Sequence, residues 1–126
     1  MRSVLERMIE GLNAGDVQKV VALYADDATI EDPVGGGMVV RGRDAITAFY
    51  DKAVAMRAHI ELVAPIRASH GNAAAMAFDV LADTPDGGIR IAVIEVIELD
   101  DALKIRAMRA YWAPDDVSPA AGNAPH

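Results

Sequence analysis

Glu95 is an acid in the apolar register of a predicted strand. Along residues 89–99 every alternate position is apolar except position 95, which is glutamate. Because alternate residues of a strand share one face, this pattern predicts a buried carboxyl group. Burial without a partner raises the pKa of a carboxyl group, so the group takes up a proton. A structural salt bridge to Arg90, Arg106 or Arg109 is the alternative, and the pattern leaves both open.

A second acid, Asp32, stands at the end of a short predicted strand. The stretch "ADDATIEDPVG" at 25–35 places four carboxylates within eight residues and is stopped by Pro33. Neighbouring strand residues point to opposite sides, so only one of Glu31 and Asp32 can face the interior. Aspartate before proline is also a common turn former. Together, an ionised Asp32 and a protonated Glu95 would form a pair suited to proton transfer.

Three predicted helices come before most of the strands. The first has Ser3 and Glu6 at capping-box spacing and ends near Gly15. Asp16 is placed to cap a short second helix. A third helix opens at 42–44, where glycine precedes a run with apolar residues at helical intervals.

The sequence beyond residue 59 is rich in strand-forming residues separated by turn signals. We predict strands at 59–68, 73–81, 89–99 and 103–112. Helices first and consecutive strands later favour an α+β fold, with three N-terminal helices packed on one face of a curved antiparallel sheet. Since strand 89–99 is apolar on both alternating faces, a second layer, such as another subunit, is expected to cover its far side.

Length and composition predict one globular domain. The chain has 126 residues, of which 52% are hydrophobic and 25% charged, and it contains no cysteine. We expect the domain to span 1–113. The segment 114–126 is rich in proline, alanine and glycine, and a disordered tail is expected there.

Charge and motif content narrow the classes of partner. A net charge of -7 argues against nucleic-acid binding, and the apolar runs are too short for a membrane span. The N-terminal segment carries Glu6 and Glu10 and lacks the pattern of a signal peptide, so a cytoplasmic location is expected. His59 and His70 are isolated from each other and from a carboxylate at ligand spacing, so no metal site is predicted.

Five segments in order carry a resemblance to a known family. They are "LNAGD" at 12–16, "YADDATIEDPVG" at 24–35, "GRDAITAFY" at 42–50, "AMAFDV" at 75–80 and "MRAYW" at 108–112. Over residues 4–112 the chain resembles the bacterial ketosteroid isomerases, which are themselves an established example of two acids held apart in pKa. The resemblance implies a cone-shaped α+β fold, shared with nuclear transport factor two, scytalone dehydratase and small polyketide cyclases, and a homodimer.

The resemblance also implies roles for individual residues. Asp32 falls on the general base that carries a proton from C4 to C6 of the steroid. Glu95 falls on the protonated acid of the oxyanion hole, and Tyr24 and Tyr50 fall on tyrosines that support the same network. The residues expected to line the substrate pocket are Met8, Val34, Met76, Phe78, Met108 and Trp112.

Two departures from the family affect the implied activity. Met8 stands where the family has a tyrosine that donates a hydrogen bond to the substrate oxygen, and Glu95 replaces an aspartate. The implied function is a cofactor-free isomerase of reduced activity that moves a double bond from the β,γ to the α,β position of a 3-oxo steroid. The alternatives are another enzyme of this fold, cyclase- or dehydratase-like, and a non-catalytic module that binds an apolar ligand.

Overall fold

The computed structural model describes residues 1–120, which form helices, a sheet and one short 3-10 turn. The helices are α1 (Arg2–Asn13), α2 (Val17–Val21) and α3 (Arg43–Ala55). The strands are β1 (Tyr24–Glu31), β2 (Val39–Arg41), β3 (His59–Leu62), β4 (Ala73–Thr84), β5 (Gly87–Leu99), β6 (Ile105–Tyr111) and β7 (Val117–Pro119). No helix in this part of the chain is long and apolar enough to cross a membrane.

The helix starts follow the sequence signals only in part. The Asp16 side chain accepts a hydrogen bond from the Lys19 amide at 3.1 Å and so caps α2 as predicted. The prediction of a capping box at the start of α1 is wrong. The helix begins at Arg2 without a side-chain cap in the described residues, and the Ser3 hydroxyl accepts a hydrogen bond from Arg7 instead.

The sheet is curved and mixed, and the helices confirm the expected α+β architecture. Its strand order is β2-β1-β6-β5-β4-β3, with β7 also paired to β5. The sheet is not wholly antiparallel as expected, because β1 runs parallel to β6, with Glu31 opposite Arg109. Parallel neighbours end at the same edge of a sheet, so the residues that follow β1 and β6 come together there.

The inner face of the sheet and the helices share one hydrophobic core. On β5 the side chains of Val93, Glu95, Ile97 and Leu99 are all buried, which confirms the predicted register. On the opposite face Ile94 is 52% exposed, so a single chain leaves this part of the sheet uncovered. The second layer expected over that face stays a prediction.

The C-terminal segment is ordered further than the sequence suggests. Instead of a disordered tail from residue 114, the chain forms a 3-10 turn at Pro114–Asp116 and then β7. β5 is longer than β6, and β7 pairs with β5 at residues 89–91, which lie beyond the end of β6. The segment therefore pairs with the part of the β5 edge that β6 leaves open. The rest of the expected tail, 121–126, lies outside the described residues.

Candidate active site

One cavity of about 240 Å³ opens between the helices and the inner face of the sheet. Its walls are mainly apolar and come from α1, α3 and strands β3 to β6. The lining residues are Met8, Leu12, Asp32, Phe49, Tyr50, Lys52, Ala53, Met56, Ala58, Ile60, Phe78, Val80, Ala82, Ile91, Val93, Glu95, Met108 and Trp112. A largely apolar cleft with a few converging polar groups is typical of a small-molecule site.

Most of the sequence-predicted site residues meet in this cavity, but three do not line it. Val34 lies in the turn after β1, where its amide donates a hydrogen bond to the Ala110 carbonyl. Met76 is buried, and it lies opposite Glu95 on β4 without reaching the cavity wall. Tyr24 is also behind the wall, in contact with Tyr50.

Much of the apolar wall was not predicted from the sequence. Phe49 and Ala53 on α3 and Met56, the residue directly after this helix, follow one another at helical spacing. Val80 and Ala82 continue the inward register of Phe78 along β4. These periodicities were visible in the sequence. Core packing produces the same pattern, so periodicity alone does not separate cavity walls from core.

Glu95 forms no salt bridge to the arginines that were the alternative explanation of its position. All three of those arginines pair with other acids in the described residues. The pairs are Arg90 with Asp79 at 2.6 Å, Arg109 with Glu98 at 2.8 Å and Arg106 with Glu98 at 3.2 Å. Within residues 1–120, the Oε2 atom of Glu95 is buried without any hydrogen-bond partner.

The environment of Glu95 favours its neutral form. Burial, followed by the negative charge of Asp32, raises the pKa of Glu95 from 4.5 to about 8. At neutral pH the group is therefore mainly a carboxylic acid that can donate a hydrogen bond into the cavity.

Asp32 follows directly after β1, and its carboxyl group reaches the cavity. The indole Nε1–H of Trp112 donates a hydrogen bond to its Oδ1 at 2.7 Å. Burial raises the pKa of Asp32, and the bond from Trp112 opposes that rise. The neighbouring Glu31 instead accepts a hydrogen bond from the Gly35 amide, so only Asp32 of the two adjacent acids lines the cavity.

The register of three strands brings the two acids together. β6 lies between β1 and β5, and its buried Ala110 pairs with Glu95. On the other side of β6, Glu31 pairs with Arg109, one residue before Ala110. Asp32 and Glu95 are thus close enough for the charge of Asp32 to raise the pKa of Glu95.

Two buried tyrosines lie behind and beside the acids. The hydroxyl oxygens of Tyr24 and Tyr50 are 2.5 Å apart, and Tyr50 also lines the cavity. Burial is the main cause that raises the pKa of both phenols well above the ordinary value. Met8 lines the cavity as well, with 1% of its surface exposed, and its thioether has no proton to donate.

The arrangement supplies the parts of a proton-transfer site. Asp32 accepts one hydrogen bond, burial favours the neutral form of Glu95, and the cavity that both residues line has mainly apolar walls. Among residues 1–120, no cluster of three or more histidines, aspartates or glutamates is arranged to hold a metal ion.

Comparison with known proteins agrees with the fold. Residues 5–108 match the SnoaL-like domain family. The chain is 39% identical over 122 residues to a protein named Steroid Delta-isomerase from Nocardioides simplex, a match that covers 95% of this chain and 97% of the relative.

Two further relatives have names connected with epoxides. Epoxide hydrolase LasB from Streptomyces lasalocidi is 34% identical over 118 residues, which are 90% of this chain but 42% of LasB. A solved structure of the epoxide hydrolase/cyclase-like enzyme SalBIII, studied for pyran ring formation in polyether salinomycin, superposes with a TM-score of 0.87. Its identity is 28%, with 94% of each chain covered. The family match spans most of the chain, and the chain belongs to the SnoaL-like family, with its nuclear transport factor two-like fold.

Proposed function

We propose that the protein is a cofactor-free isomerase that converts a 3-oxo steroid with a β,γ double bond into its α,β-unsaturated isomer. The observation that carries the proposal is the pairing of Asp32 with a neutral Glu95 in one apolar cavity. The 39% identity to a protein named Steroid Delta-isomerase supports the same assignment.

The proposed reaction moves one proton from one carbon of the substrate to another and exchanges no electrons with an external partner. Asp32 removes a proton from the carbon between the carbonyl and the double bond, and the electron pair flows into a dienolate. Glu95 donates a hydrogen bond to the dienolate oxygen, where negative charge develops. Asp32 then returns the same proton two carbons further along, which leaves the double bond conjugated with the ketone.

The opposite protonation states of the two acids are essential to this mechanism. An ionised Glu95 would repel the dienolate and could not donate a hydrogen bond. A protonated Asp32 could not accept a proton. Burial and the charge of Asp32 keep the proton on Glu95, whereas the indole of Trp112 stabilises the carboxylate form of Asp32.

The proposed substrate is a small apolar ketone, and the proposed assembly is a homodimer. The cavity wall is mostly hydrocarbon, which suits a steroid skeleton better than a charged or sugar-like molecule. The dimer is proposed because Ile94 and Tyr111, paired across neighbouring strands on the outer face of the sheet, are 52% and 45% exposed.

Turnover of a β,γ-unsaturated ketosteroid tests the proposal directly. Isomerisation creates a conjugated ketone, whose ultraviolet absorbance increases with time. We expect turnover by the wild type and a loss of several orders of magnitude in the Asp32→Asn variant. Tight binding of the steroid without turnover would support the non-catalytic binding module instead.

The same two acids also favour a second candidate, the opening of an epoxide. Glu95 could give its proton to the epoxide oxygen as the ring C–O bond breaks. Asp32 could take the proton from a hydroxyl group or water that forms the new C–O bond, so atoms and charge balance. The relatives named for epoxide chemistry and the absence of a donor at Met8 support this reading.

A hydroxy-epoxide separates the two candidates. Intramolecular attack gives a cyclic ether of unchanged mass, and hydrolysis gives a diol with one added water, so chromatography and mass spectrometry identify both products. An enzyme that opens this substrate but leaves the ketosteroid unchanged would replace the isomerase assignment.

A further inference from the structure

We propose that the Tyr50 hydroxyl is a second hydrogen-bond donor to the substrate oxygen and that Tyr24 is the positioning residue that directs its proton. This inference deepens the proposed function and depends on it for the identity of the oxygen, which is that of the dienolate. It gives the cavity two donors, Glu95 and Tyr50, although Met8 supplies none.

The phenols of Tyr24 and Tyr50 share one hydrogen bond. Their oxygens are 2.5 Å apart, and either one could be the donor from distance alone. Each phenol has a single proton and can also accept. The direction of the bond therefore decides which of the two protons remains available.

Burial decides the direction. Tyr24 is 2% exposed and does not line the cavity, and within the described residues its hydroxyl has Tyr50 as its one hydrogen-bond partner. If Tyr24 accepted the bond, its own proton would be buried without an acceptor, which is unfavourable. Tyr24 therefore donates to Tyr50, and the proton of Tyr50 stays free.

In this proposal the free proton of Tyr50 points toward the cavity, because Tyr50 forms part of the wall around the acids. Tyr50 lies on α3 and lines the cavity together with Glu95 from β5. The charge that Glu95 would carry if ionised raises the pKa of Tyr50, which is consistent with the two groups lying near each other. A substrate oxygen placed between them would receive one hydrogen bond from each wall of the cavity.

Tyr24 also strengthens the donor that it positions. A hydroxyl that accepts a hydrogen bond is polarised and becomes a better donor in turn, and the effect is larger away from water. Tyr24 acts on the substrate only through Tyr50. Its contribution should therefore disappear when the hydroxyl of Tyr50 is removed.

The kinetic test uses Tyr50→Phe, Tyr24→Phe, the double variant and Tyr111→Phe as the matched control. Tyr111 is the third tyrosine of the chain and lies outside the cavity, on the outer face of the sheet, and phenylalanine keeps the ring that the proposed dimer partner would cover. On a ketosteroid we expect Tyr50→Phe to lower kcat about a hundredfold with KM changed little, as for loss of one oxyanion donor. Tyr24→Phe should lower kcat about tenfold, and the double variant should lower it no more than Tyr50→Phe does. The Tyr111→Phe control should leave kcat unchanged.

A binding test reports on the donor without requiring turnover. The oxygen of ionised 2-naphthol resembles that of a dienolate, and the fluorescence of naphthol distinguishes its neutral and ionised forms. We expect the wild type to bind the ionised form, and Tyr50→Phe to weaken that binding at least tenfold. The Tyr111→Phe control should behave as the wild type does.

The two measurements separate failure of the inference from failure of the proposed function. If the wild type does not isomerise steroids but Tyr50→Phe weakens naphtholate binding, the donor role of Tyr50 is supported and the isomerase assignment is rejected. Steroid turnover that survives Tyr50→Phe would overturn the inference and leave the isomerase in place. Equal losses in both single variants, or a further loss in the double variant, would overturn the positioning role of Tyr24.

A third measurement applies if Tyr50→Phe does not fold. The Tyr24→Phe variant produced with 3-fluorotyrosine contains fluorine only at Tyr50 and Tyr111. The fluorine resonance of Tyr50 should move when 2-naphthol binds, and that of Tyr111 should not. An unchanged Tyr50 resonance in the saturated complex would overturn the inference.

Discussion

The indole of Trp112 donates a hydrogen bond of 2.7 Å to the carboxylate of Asp32, although the two residues are eighty positions apart in the chain. Each residue follows the end of its strand, β1 for Asp32 and β6 for Trp112, and these strands are parallel neighbours. The bond orients the proposed base and stabilises its ionised form. It also gives Trp112 a polar role in addition to its place in the cavity wall.

Asp32→Asn should abolish most of the isomerase activity. The amide keeps the shape of the carboxyl group and can still accept the bond from Trp112, but it cannot take a proton. We expect kcat on a ketosteroid to fall at least a thousandfold, with steroid affinity nearly unchanged, as measured by steady-state kinetics and a binding titration. Glu31→Gln, next to it but outside the cavity, is the control. Wild-type turnover by Asp32→Asn would contradict the mechanism.

The pH profile of the reaction should be bell-shaped. Activity requires an ionised Asp32, so it falls as pH decreases through the raised pKa of that group. Activity also requires a protonated Glu95, so it falls as pH rises through about 8. Measurements of kcat/KM from acid to alkaline pH test both limbs. Glu95→Gln should be slower and should lack the alkaline limb, and an unchanged limb near pH 8 would assign it to another group.

Glu95→Gln should make the protein more stable at alkaline pH. Between pH 4.5 and about 8 the unfolded state has lost the proton that the folded state keeps. The contribution of Glu95 to the free energy of unfolding is thus full below pH 4.5 and decreases by roughly 3 to 5 kcal/mol as pH rises through that window. Urea unfolding at pH 5 and pH 9 should show this decrease in the wild type and in the exposed-site control Glu6→Gln, but much less of it in Glu95→Gln. Parallel pH dependence in all three would contradict the burial of an unpaired acid.

Met8→Tyr should increase isomerase activity. The side chain of Met8 lines the cavity, and a tyrosine hydroxyl there would add a donor that methionine lacks. One such donor is worth about a hundred- to a thousandfold in kcat, and strain from the larger ring would reduce the gain. Met8→Phe controls for the ring without the hydroxyl. We also expect Glu95→Gln to lower kcat more in the wild-type background than in the Met8→Tyr background. An unchanged or lower kcat in a folded Met8→Tyr variant would favour the epoxide or binding alternatives.

The protein should sediment as a dimer at about twice the chain mass of 13.4 kDa. Ile94 lies on the outer face of the sheet beside Tyr111, and a two-fold partner would cover both. Ile94→Lys should shift sedimentation at micromolar concentration toward the monomer, because a buried lysine would lack a partner. Leu103→Lys, 60% exposed in the turn between β5 and β6, is the control and should remain dimeric. A wild-type monomer at these concentrations would contradict the prediction.

Local periodicity determined the elements that carry the site. The alternation along residues 89–99 predicted an inward Glu95, and the proline after Asp32 predicted the end of a strand. These are short-range properties, because the side-chain direction in a strand changes with each residue. The order of helices and strands favoured the α+β fold, and the resemblance of the sequence to a family added the cone shape of that fold and the steroid as expected substrate.

The tertiary structure decided the relationships between distant parts of the chain. Parallel pairing of β1 with β6, which the sequence analysis did not predict, places Asp32 beside Trp112. Pairing of the three arginines with other acids leaves Glu95 without a cation, and the acid that each arginine contacts depends on the register between neighbouring strands. The last strand forms because β5 extends beyond β6 and offers an edge. Each of these outcomes depends on which backbone and side-chain groups remain unpaired after the sheet assembles, and a local pattern in the sequence does not contain that information.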